Sequence, residues 1–368
     1  MLIIQRGNPQ ENRKEFLMTK ALYMIKRIAN MDHTDMIRKC REIHKKTGIP
    51  GIRVFWDMIE CGTRYGAGYM DYYVMKFFEL NDEQRKTYIT RTTNASLADR
   101  LNDRNYRHIL ANKTDFNKFF HDRIGRDWLD LRNSSAIDFW RFILRHQAII
   151  VKPTNSNSGQ GIYRMECLYV SMEDALSRFR KLLEEGSGIV EEVLSQRGEL
   201  SEIHPASINT IRVYTLRDDA GTVHIICALL RAGTGNSVVD NANAGGIVIP
   251  LDTATGRMNP TAIDKQNNEY RVHPTTGYIF EGKTVPCWED ILRLCVESAE
   301  MLPGLRYVGW DVALTPDGPV LIEGNHIPDH TLLQFHCRYT ENKTGMLPAI
   351  DRILQNETAV RSVGAEVV

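Results

Sequence analysis

The sequence predicts an α+β fold in which helices flank two antiparallel sheets. Segments 209–217, 222–232 and 245–251 are predicted to be long strands of alternating facing, and such consecutive strands are typical of antiparallel sheets. Strand and helix patterns do not alternate regularly along the chain. No Gly-x-Gly-x-x-Gly turn leads from a strand into a helix, so a doubly wound dinucleotide-binding fold is not predicted.

Composition indicates a soluble globular protein and argues against several classes of function. The 368 residues include 46 basic and 46 acidic side chains, so net charge gives no general attraction to nucleic acid or membranes. Seven scattered cysteines without a Cys-x-x-Cys pair argue against a zinc ribbon or a disulfide framework. We see neither a signal-peptide core nor an apolar run of membrane-spanning length, and we expect a cytoplasmic protein, with oligomerisation open.

The first 110 residues are predicted to be a mostly helical region. Leu17, Met24 and Ile28 recur at helical spacing among basic residues, which indicates amphipathic helices with a solvated basic face. A stripe of aromatic residues between 62 and 80 is typical of a core, and a contact with substrate is the alternative.

Helices and strands are interleaved after residue 110. We expect, in order, a helix opened by Lys113, strands at 148–152 and 162–170, a helix capped by Ser171 and running to about 185, and a strand at 188–193. After the three long strands we expect a helix near 287–302, a hairpin at 309–325 and a last helix near 329–340.

The hairpin at 309–325 is the most informative segment. Thr315-Pro316-Asp317-Gly318 suits a type I turn in which Gly318 takes a positive φ. A three-residue loop at 316–318 would pair Thr315 with Pro319, and Asp311 would then face Glu323. The opposite face would be apolar, formed by Trp310, Val312, Leu314, Val320 and Ile322.

The polar face of this hairpin predicts a magnesium site. Asp311 and Glu323 would repel each other unless a cation lies between them, and Asn325 shares the face of Glu323. Oxygen ligands of these types suit Mg²⁺ held together with the phosphates of a nucleotide. The alternative is an edge hairpin with a solvated acidic face.

The strand at 148–152 ends in Lys152, and a loop of small polar residues follows it. Ser158, Gly159 and Gly161 lie in this loop, and successive backbone N–H groups in such loops form anion-binding nests. A lysine beside a nest predicts a phosphate site. The alternative is a flexible hairpin loop with an exposed lysine.

Glu191 and Glu192 end the next strand, where the backbone and a carboxylate can pair with an adenine edge. Glu199 would then reach ribose hydroxyls. The alternative is two exposed glutamates at a strand end.

Arg212 and Arg231 each interrupt or end an apolar strand. Either side chain can neutralise a transferred phosphate or a substrate carboxylate, so both are candidate catalytic residues. The alternative for each is a surface salt bridge.

The loop that enters strand 245–251 contains Asn241 and Asn243 and runs into Gly245 and Gly246 at the start of the strand. These residues can bind phosphate, metal or substrate, or simply form turns. His326 lies just after the hairpin, and either a substrate contact or simple packing fits it.

Taken in order, these segments resemble the ATP-grasp superfamily over roughly residues 110–340. Segments 101–103, 207–212 and 240–246 are most similar to its branch called sugar-transfer associated ATP-grasp, or α-L-glutamate ligase-related proteins. The resemblance implies ATP held between two antiparallel sheets. For this stretch it implies a small lobe with the phosphate loop (111–193) and a large lobe with the metal hairpin (194–345). The residue pattern adds a helical region (1–110) before them and a C-terminal tail (346–368) after them.

The resemblance also implies roles for individual residues. Lys113 and Lys152 would bind phosphates, and Asp311, Glu323 and Asn325 would hold two Mg²⁺ ions. The adenine would be held by Glu191, Glu192, Val193 and Leu194.

We therefore expect an ATP-dependent carboxylate–amine ligase that works through an acyl phosphate and releases ADP and phosphate. Its substrates would be small-molecule or peptide carboxylates and amines. Two alternatives stay open: a kinase of the same superfamily that phosphorylates a hydroxyl, and a nucleotide-binding module without turnover.

Overall fold

A computed structural model describes residues 32–153, 161–237, 240 and 245–364, with side chains described as far as residue 355. The described chain divides into two compact units. The first comprises residues 32–86 and 90–92, and the second comprises residues 87–89 and the described residues from 93 onward.

The first unit is helical where it is described, in agreement with the prediction. Its helices are α1 (His33–Thr47), α2 (Gly51–Tyr65), α3 (Tyr69–Val74) and α4 (Asp82–Lys86). Tyr72 and Phe77 of the aromatic stripe are fully buried, as expected for a core. Asp57 accepts two hydrogen bonds from Arg85, at 2.8 and 2.7 Å, and one from the Tyr72 hydroxyl at 2.7 Å, so the helices also share a polar contact.

Helices lead into the first sheet of the second unit. They are α5 (Arg91–Leu101), which belongs to this unit from Thr93 onward, α6 (Arg107–Ala111) and α7 (Lys113–Phe119). The sheet contains β1 (Trp128–Asp130), β2 (Ala148–Pro153), β3 (Tyr163–Glu166) and β4 (Ser187–Glu192), all antiparallel in the order β1-β4-β2-β3. Helices α8 (Ala136–Arg145) and α9 (Met172–Glu184) pack on it through a core that includes Phe139, Phe179 and Val151.

The second sheet has seven antiparallel strands and carries most of the core of this unit. Its order is β11-β10-β5-β6-β7-β8-β9. The strands are β5 (Ile211–Arg217), β6 (Val223–Ala232), β7 (Ile247–Leu251), β8 (Ala262–Ile263), β9 (Glu269–Tyr270), β10 (Tyr307–Thr315) and β11 (Gly318–Asn325). The remaining helices are α10 (Gly198–Ser201), α11 (Trp288–Met301), α12 (His330–Leu333) and α13 (Leu347–Gly364).

The two antiparallel sheets and the main strands confirm the predicted fold class. The Ser171 hydroxyl accepts the Asp174 N–H at 3.1 Å, so the predicted cap of α9 is also confirmed. Strands β1, β8 and β9 and helices α8, α10 and α13 were not predicted. The predicted helix at 329–340 is wrong in its continuity, since α12 ends at Leu333 and a 3-10 helix covers Phe335–Tyr339.

Helix α13 occupies most of the segment that we assigned to a C-terminal tail. Its start is anchored because Ile350 in its first turn and Met346, just before it, are buried. The Gly345 N–H, just before the helix, donates to the Thr87 hydroxyl at 2.7 Å.

The hairpin forms with the expected pairing of Asp311 and Glu323 but by a different route. Thr315 pairs with Gly318, so the predicted three-residue loop is wrong and only two residues turn the chain. The register shifts between Asp311 and Val312, where Ile322 is an extra residue in β11, and this bulge restores the alignment. Gly318 has φ 129°, which confirms the predicted positive φ.

The bulge also changes which residues of β11 face the core. Leu321 is fully buried and joins Trp310, Val312 and Leu314 in the core. Val320 and Ile322 are only partly buried, so the prediction that these two belong to the apolar face is wrong.

Among the described residues, no helix combines the length and the apolar character that crossing a membrane requires.

The segment that precedes β1 lies directly against the hairpin. Gly125 has φ 56°, and a Cβ atom there would lie 2.4 Å from Cγ1 of Val320. Glycine is therefore required both by its backbone conformation and by the close approach to β11.

We expect Gly125→Ala to destabilise the protein by about 1–3 kcal/mol more than Gly277→Ala, because only residue 125 adds a steric clash. Gly277 is the matched control, since it has φ 74° and a Cβ atom added there would meet no atom within 4 Å. Urea denaturation of both variants measures the difference. Equal losses of stability would show that β11 moves aside freely.

Candidate active site

A buried ion cluster lies at the centre of the seven-stranded sheet. Asp311 of β10 pairs in register with Arg212 of β5 and is fully buried. Arg212 binds both of its carboxylate oxygens, with Nη2 2.8 Å from Oδ2, and Nη2 of Arg231 also lies 2.8 Å from Oδ2. Burial opposes ionisation, but the two guanidiniums hold the pKa of the Asp311 carboxyl well below its usual range. Surface salt bridges are therefore the wrong interpretation of both arginines.

A second polar layer orients Arg231. Its Nε and Nη2 donate to the Thr210 hydroxyl oxygen at 2.9 and 2.7 Å. The Thr210 hydroxyl in turn donates to Asp240, whose Oδ2 also accepts the Thr210 N–H at 2.9 Å and lies 3.6 Å from Nε of Arg231. The segments that carried the family resemblance thus supply the support of Arg231.

Glu323 and Asn325 lie at the open side of this cluster. The Glu323 side chain is 45% exposed, and its Oε1 lies 3.9 Å from Arg212 Nη2 and 3.4 Å from Asn325 Nδ2. Partial burial and the adjacent charge of Asp311 raise the pKa of the Glu323 carboxyl. The structure therefore brings the three predicted metal ligands together.

The donor set fits a magnesium ion that takes part of its ligands from the protein and the rest from a substrate. Asp311 and Glu323 face each other across the hairpin, and Arg212 lies nearer to Asp311 (2.8 Å) than to Glu323 (3.9 Å), so a cation beside Glu323 would supply counter-charge. Within the described residues, no group of three His, Cys, Asp or Glu side chains is arranged to hold a metal. Mg²⁺ commonly uses one or two carboxylates and completes its shell with water and phosphate oxygens.

The four-stranded sheet contributes a second carboxylate between cations. Lys152, at the end of β2, forms an ion pair with Glu191 of β4, and only 12% of the lysine side chain is exposed. Arg126 Nε donates to Oε2 of Glu191 at 2.9 Å, and Asn117 Nδ2 donates to Oε1 at 2.9 Å. Arg126 and Lys152 hold the pKa of the buried Glu191 carboxyl well below its usual range, although burial alone would raise it.

Lys113 interacts electrostatically with both clusters, through Glu323 of the hairpin and through Glu191 and Lys152 of the four-stranded sheet. Burial lowers the pKa of its amine, Glu323 and Glu191 oppose this effect, and the charge of Lys152 adds to it. Asn117 lies one helical turn after Lys113 on α7, so both side chains share a face of the helix. The two predicted phosphate-binding lysines and the predicted metal ligand Glu323 therefore lie in one electrostatic environment.

The residues predicted to hold adenine and ribose lie at the end of β4 and beyond. Glu192 accepts the Asp127 N–H at 3.0 Å, and Val193 and Leu194 are partly buried. Glu199 is exposed and pairs with Arg197 at 3.1 Å. Their contacts with a nucleotide stay predictions.

The loop residues are described only in part. Gly161 has φ 73° and Gly245 has φ 90°, while Gly246 is buried. Ser158, Gly159, Asn241 and Asn243 lie outside the described residues.

His326 lies at the end of the hairpin. Asn102 Nδ2 donates to its carbonyl oxygen at 2.6 Å. Burial, with a smaller contribution from the charge of Arg107, lowers the pKa of its imidazole. A contact between His326 and a substrate stays a prediction.

Sequence reasoning missed Arg126 and Asn117. Asn117 gave a usable signal, because it lies four residues after Lys113 on a predicted helix. Arg126 gave none, since it lies in a short irregular segment without a recognisable pattern.

Comparison with known proteins identifies a family. A family model described as sugar-transfer associated ATP-grasp matches residues 92–352. None of the curated proteins matches this sequence significantly.

Solved structures to which this chain shows a partial likeness include the ATP-grasp ligase PsnB complexed with minimal precursor, Mg and ADP. It has 15% identity and a TM-score of 0.39, with 74% of this chain and 68% of that chain covered. D-alanine–D-alanine ligase from Bacillus anthracis has 13% identity and a TM-score of 0.42, with 71% and 74% covered. D-cycloserine synthetase DcsG has 13% identity and a TM-score of 0.41, with 70% and 77% covered.

We expect Glu323→Gln to make the metal-free protein more stable at pH 7. Because the pKa of Glu323 is higher in the folded than in the unfolded state, its ionisation opposes folding. The gain should be full above the folded-state pKa and should disappear as the pH falls to the unfolded value of about 4.3. Thermal unfolding between about pH 4 and pH 8 measures it.

The exposed Glu281→Gln is the control, and it should show no such pH-dependent gain. A Glu323→Gln variant that is less stable than the wild type at pH 7 would contradict the charge crowding at this site.

Proposed function

We propose that this chain, which belongs to the sugar-transfer associated ATP-grasp family, is an ATP-dependent ligase that joins a carboxylate to an amine. The observation that carries the proposal is the charge asymmetry of the site. On the side of the four-stranded sheet, Arg126 and Lys152 form ion pairs with one carboxylate, Glu191, and Lys113 interacts with it electrostatically at longer range. On the side of the hairpin, three carboxylates face two arginines: Asp311, Glu323 and Asp240 with Arg212 and Arg231.

This asymmetry suits a nucleotide triphosphate and its metal. Lys113 and Lys152 would bind phosphates, while Asp311, Glu323 and Asn325 would hold Mg²⁺, as two ions in our proposal. Magnesium, when bound, would neutralise phosphate charge during transfer. Asp311 is held by both arginines, so Glu323 and Asn325 offer the more accessible oxygens.

An amine cannot readily displace oxide from a carboxylate, so the chemistry that we propose first converts that oxygen into a phosphate leaving group. A carboxylate oxygen attacks the γ-phosphorus of ATP, ADP leaves, and an acyl phosphate forms. The amine nitrogen then attacks the carbonyl carbon, the bond from carbon to the phosphate oxygen breaks, and the nitrogen loses a proton. The products are an amide, ADP and phosphate.

Arg212 and Arg231 are the proposed catalytic residues. Both are buried and fixed by Asp311, so their positive charges need little reorganisation when charge develops nearby. They would stabilise the transferred phosphoryl group and then the oxyanion formed when the amine attacks. Removal of one preorganised donor of this type typically costs about 10²–10³ in rate.

The remaining assignments follow the same scheme. Because Lys152 and Arg126 occupy the Glu191 carboxylate, the adenine amine is left to Glu192 and to the backbone at Val193 and Leu194. Glu199 would contact ribose, and the loop with Ser158, Gly159 and Gly161 would cover the phosphates and exclude water.

Substrate selection is assigned to one loop and the end of the hairpin. Asn241, Asn243, Gly245, Gly246 and His326 would contact the carboxylate or amine substrate. We propose that the protein is cytoplasmic.

Incubation with Mg·ATP and pooled carboxylic acids and amino acids tests the reaction class. A ligase should form ADP and phosphate only when a carboxylate and an amine are both present, and the product mass should match an amide. ADP formation with a phosphorylated product and no free phosphate would indicate a kinase. ATP binding without ADP formation would indicate a module without turnover. In a ligase, Glu323→Gln should abolish turnover.

We expect Lys152→Ala to weaken ATP binding by about 10- to 100-fold, because a charge-assisted hydrogen bond contributes about 1.5–3 kcal/mol. Isothermal titration calorimetry measures the affinity. Lys118→Ala is the control, because it removes the same charge from an exposed lysine, at the far end of the helix that begins with Lys113. Unchanged affinity in a folded Lys152→Ala variant would reject its phosphate role.

A further inference from the structure

We propose that Arg126 is a positioning residue that couples the phosphate side of the site to the metal side. It fixes Lys152, through Glu191, relative to the hairpin that carries Glu323. This inference rests on the proposed function, because it assigns ATP phosphates to Lys152 and Mg²⁺ to Glu323.

Arg126 contacts both sheets with a single buried guanidinium. On the four-stranded sheet, its Nε and Nη2 donate to the two oxygens of Glu191 at 2.9 and 3.2 Å. On the seven-stranded sheet, Nη1 donates to the carbonyl of Leu321 at 2.7 Å and Nη2 to that of Ile322 at 3.3 Å. Nη1 also reaches the Ile124 carbonyl at 3.0 Å, and Nη2 reaches Asn117 Oδ1 at 3.4 Å. These contacts use the whole fork of five donors.

The carbonyl contacts fall at the bulge of the hairpin. Ile322 is the extra residue of β11, and the shift that it introduces is what aligns Asp311 with Glu323. By binding the carbonyls of Leu321 and Ile322, Arg126 holds β11 at the point where the register changes. The position of Glu323, the next residue, therefore depends on Arg126.

The contact with Glu191 fixes the other side of the site. Glu191 is buried, and it binds Lys152 and Arg126 together. If Lys152 turned toward phosphate oxygens, Arg126 would still neutralise Glu191, so no uncompensated charge would be left in the interior. A packing role alone needs neither this charge nor the planar fork.

This arrangement predicts that Mg²⁺ and ATP bind with a mutual dependence that passes partly through Arg126. Two ligands whose sites are held at a fixed spacing strengthen each other's binding, and the coupling is reciprocal. Loosening that spacing should reduce the coupling more than it reduces either affinity alone.

Arg126→Lys tests the inference, because lysine keeps the positive charge but cannot reproduce the planar fork. Calorimetry with ATP, with and without Mg²⁺, gives the factor by which Mg²⁺ increases ATP affinity. We expect this factor to fall by about tenfold in Arg126→Lys. The metal-free affinity should fall less, and circular dichroism should show a folded protein.

Arg123→Lys is the matched control. Arg123 lies three residues earlier and pairs with Glu297 on α11 at 2.8 Å, outside the site. It should leave the magnesium enhancement unchanged.

If Arg126→Lys does not fold, Glu191→Gln replaces it, because that change removes the charge at one end of the contact and leaves the carbonyl contacts. The magnesium enhancement should fall there too. Full enhancement in either folded variant overturns the role of Arg126 and leaves the proposed function standing. A wild-type protein that binds no ATP overturns the proposed function, and this inference with it.

Discussion

Two buried carboxylates, each held by two cationic side chains, organise this site. Asp311 lies between Arg212 and Arg231, and Glu191 lies between Lys152 and Arg126. A carboxylate in the interior stays ionised only when nearby charges and hydrogen bonds replace its water. Each pair of cationic side chains therefore fixes one carboxylate. Each carboxylate in turn fixes two long side chains that would otherwise be mobile. This mutual fixation places positive charge in one part of the site and leaves Glu323 and Asn325 accessible in the other.

The fold was predictable where pattern alone determines structure. Alternation over 209–217 and 222–232 predicted β5 and β6, because successive side chains of a strand point to opposite faces. It did not show that both faces of these central strands are largely buried. The hairpin was predicted with one residue too many in its turn, and the bulge at Ile322 compensates for that difference in the pairing. One fewer loop residue and one additional strand residue give the same pairing of Asp311 with Glu323, so the pattern cannot distinguish the two routes. It could not show that Leu321, rather than Val320 or Ile322, enters the core.

The site was predictable in its residue types and less so in its contacts. Asp311, Glu323 and Asn325 were found because strand alternation places them together, and Arg212 because it interrupts an apolar run. Arg126 was not found, because its meaning depends on Glu191 and Leu321, which lie 65 and 195 positions away along the chain. A charge in an irregular segment has no local period, so only the folded chain reveals what it binds.

Residues 124–126 also cover part of the edge of the seven-stranded sheet, where they approach β11. β11 is the terminal strand of its sheet, and a terminal strand presents unpaired carbonyl and N–H groups that can template pairing with another chain. Arg126 occupies two of those carbonyls, and Gly125 lets its own backbone lie against Val320. This segment therefore covers part of β11 and leaves fewer of its backbone groups open to pairing with a strand of another chain.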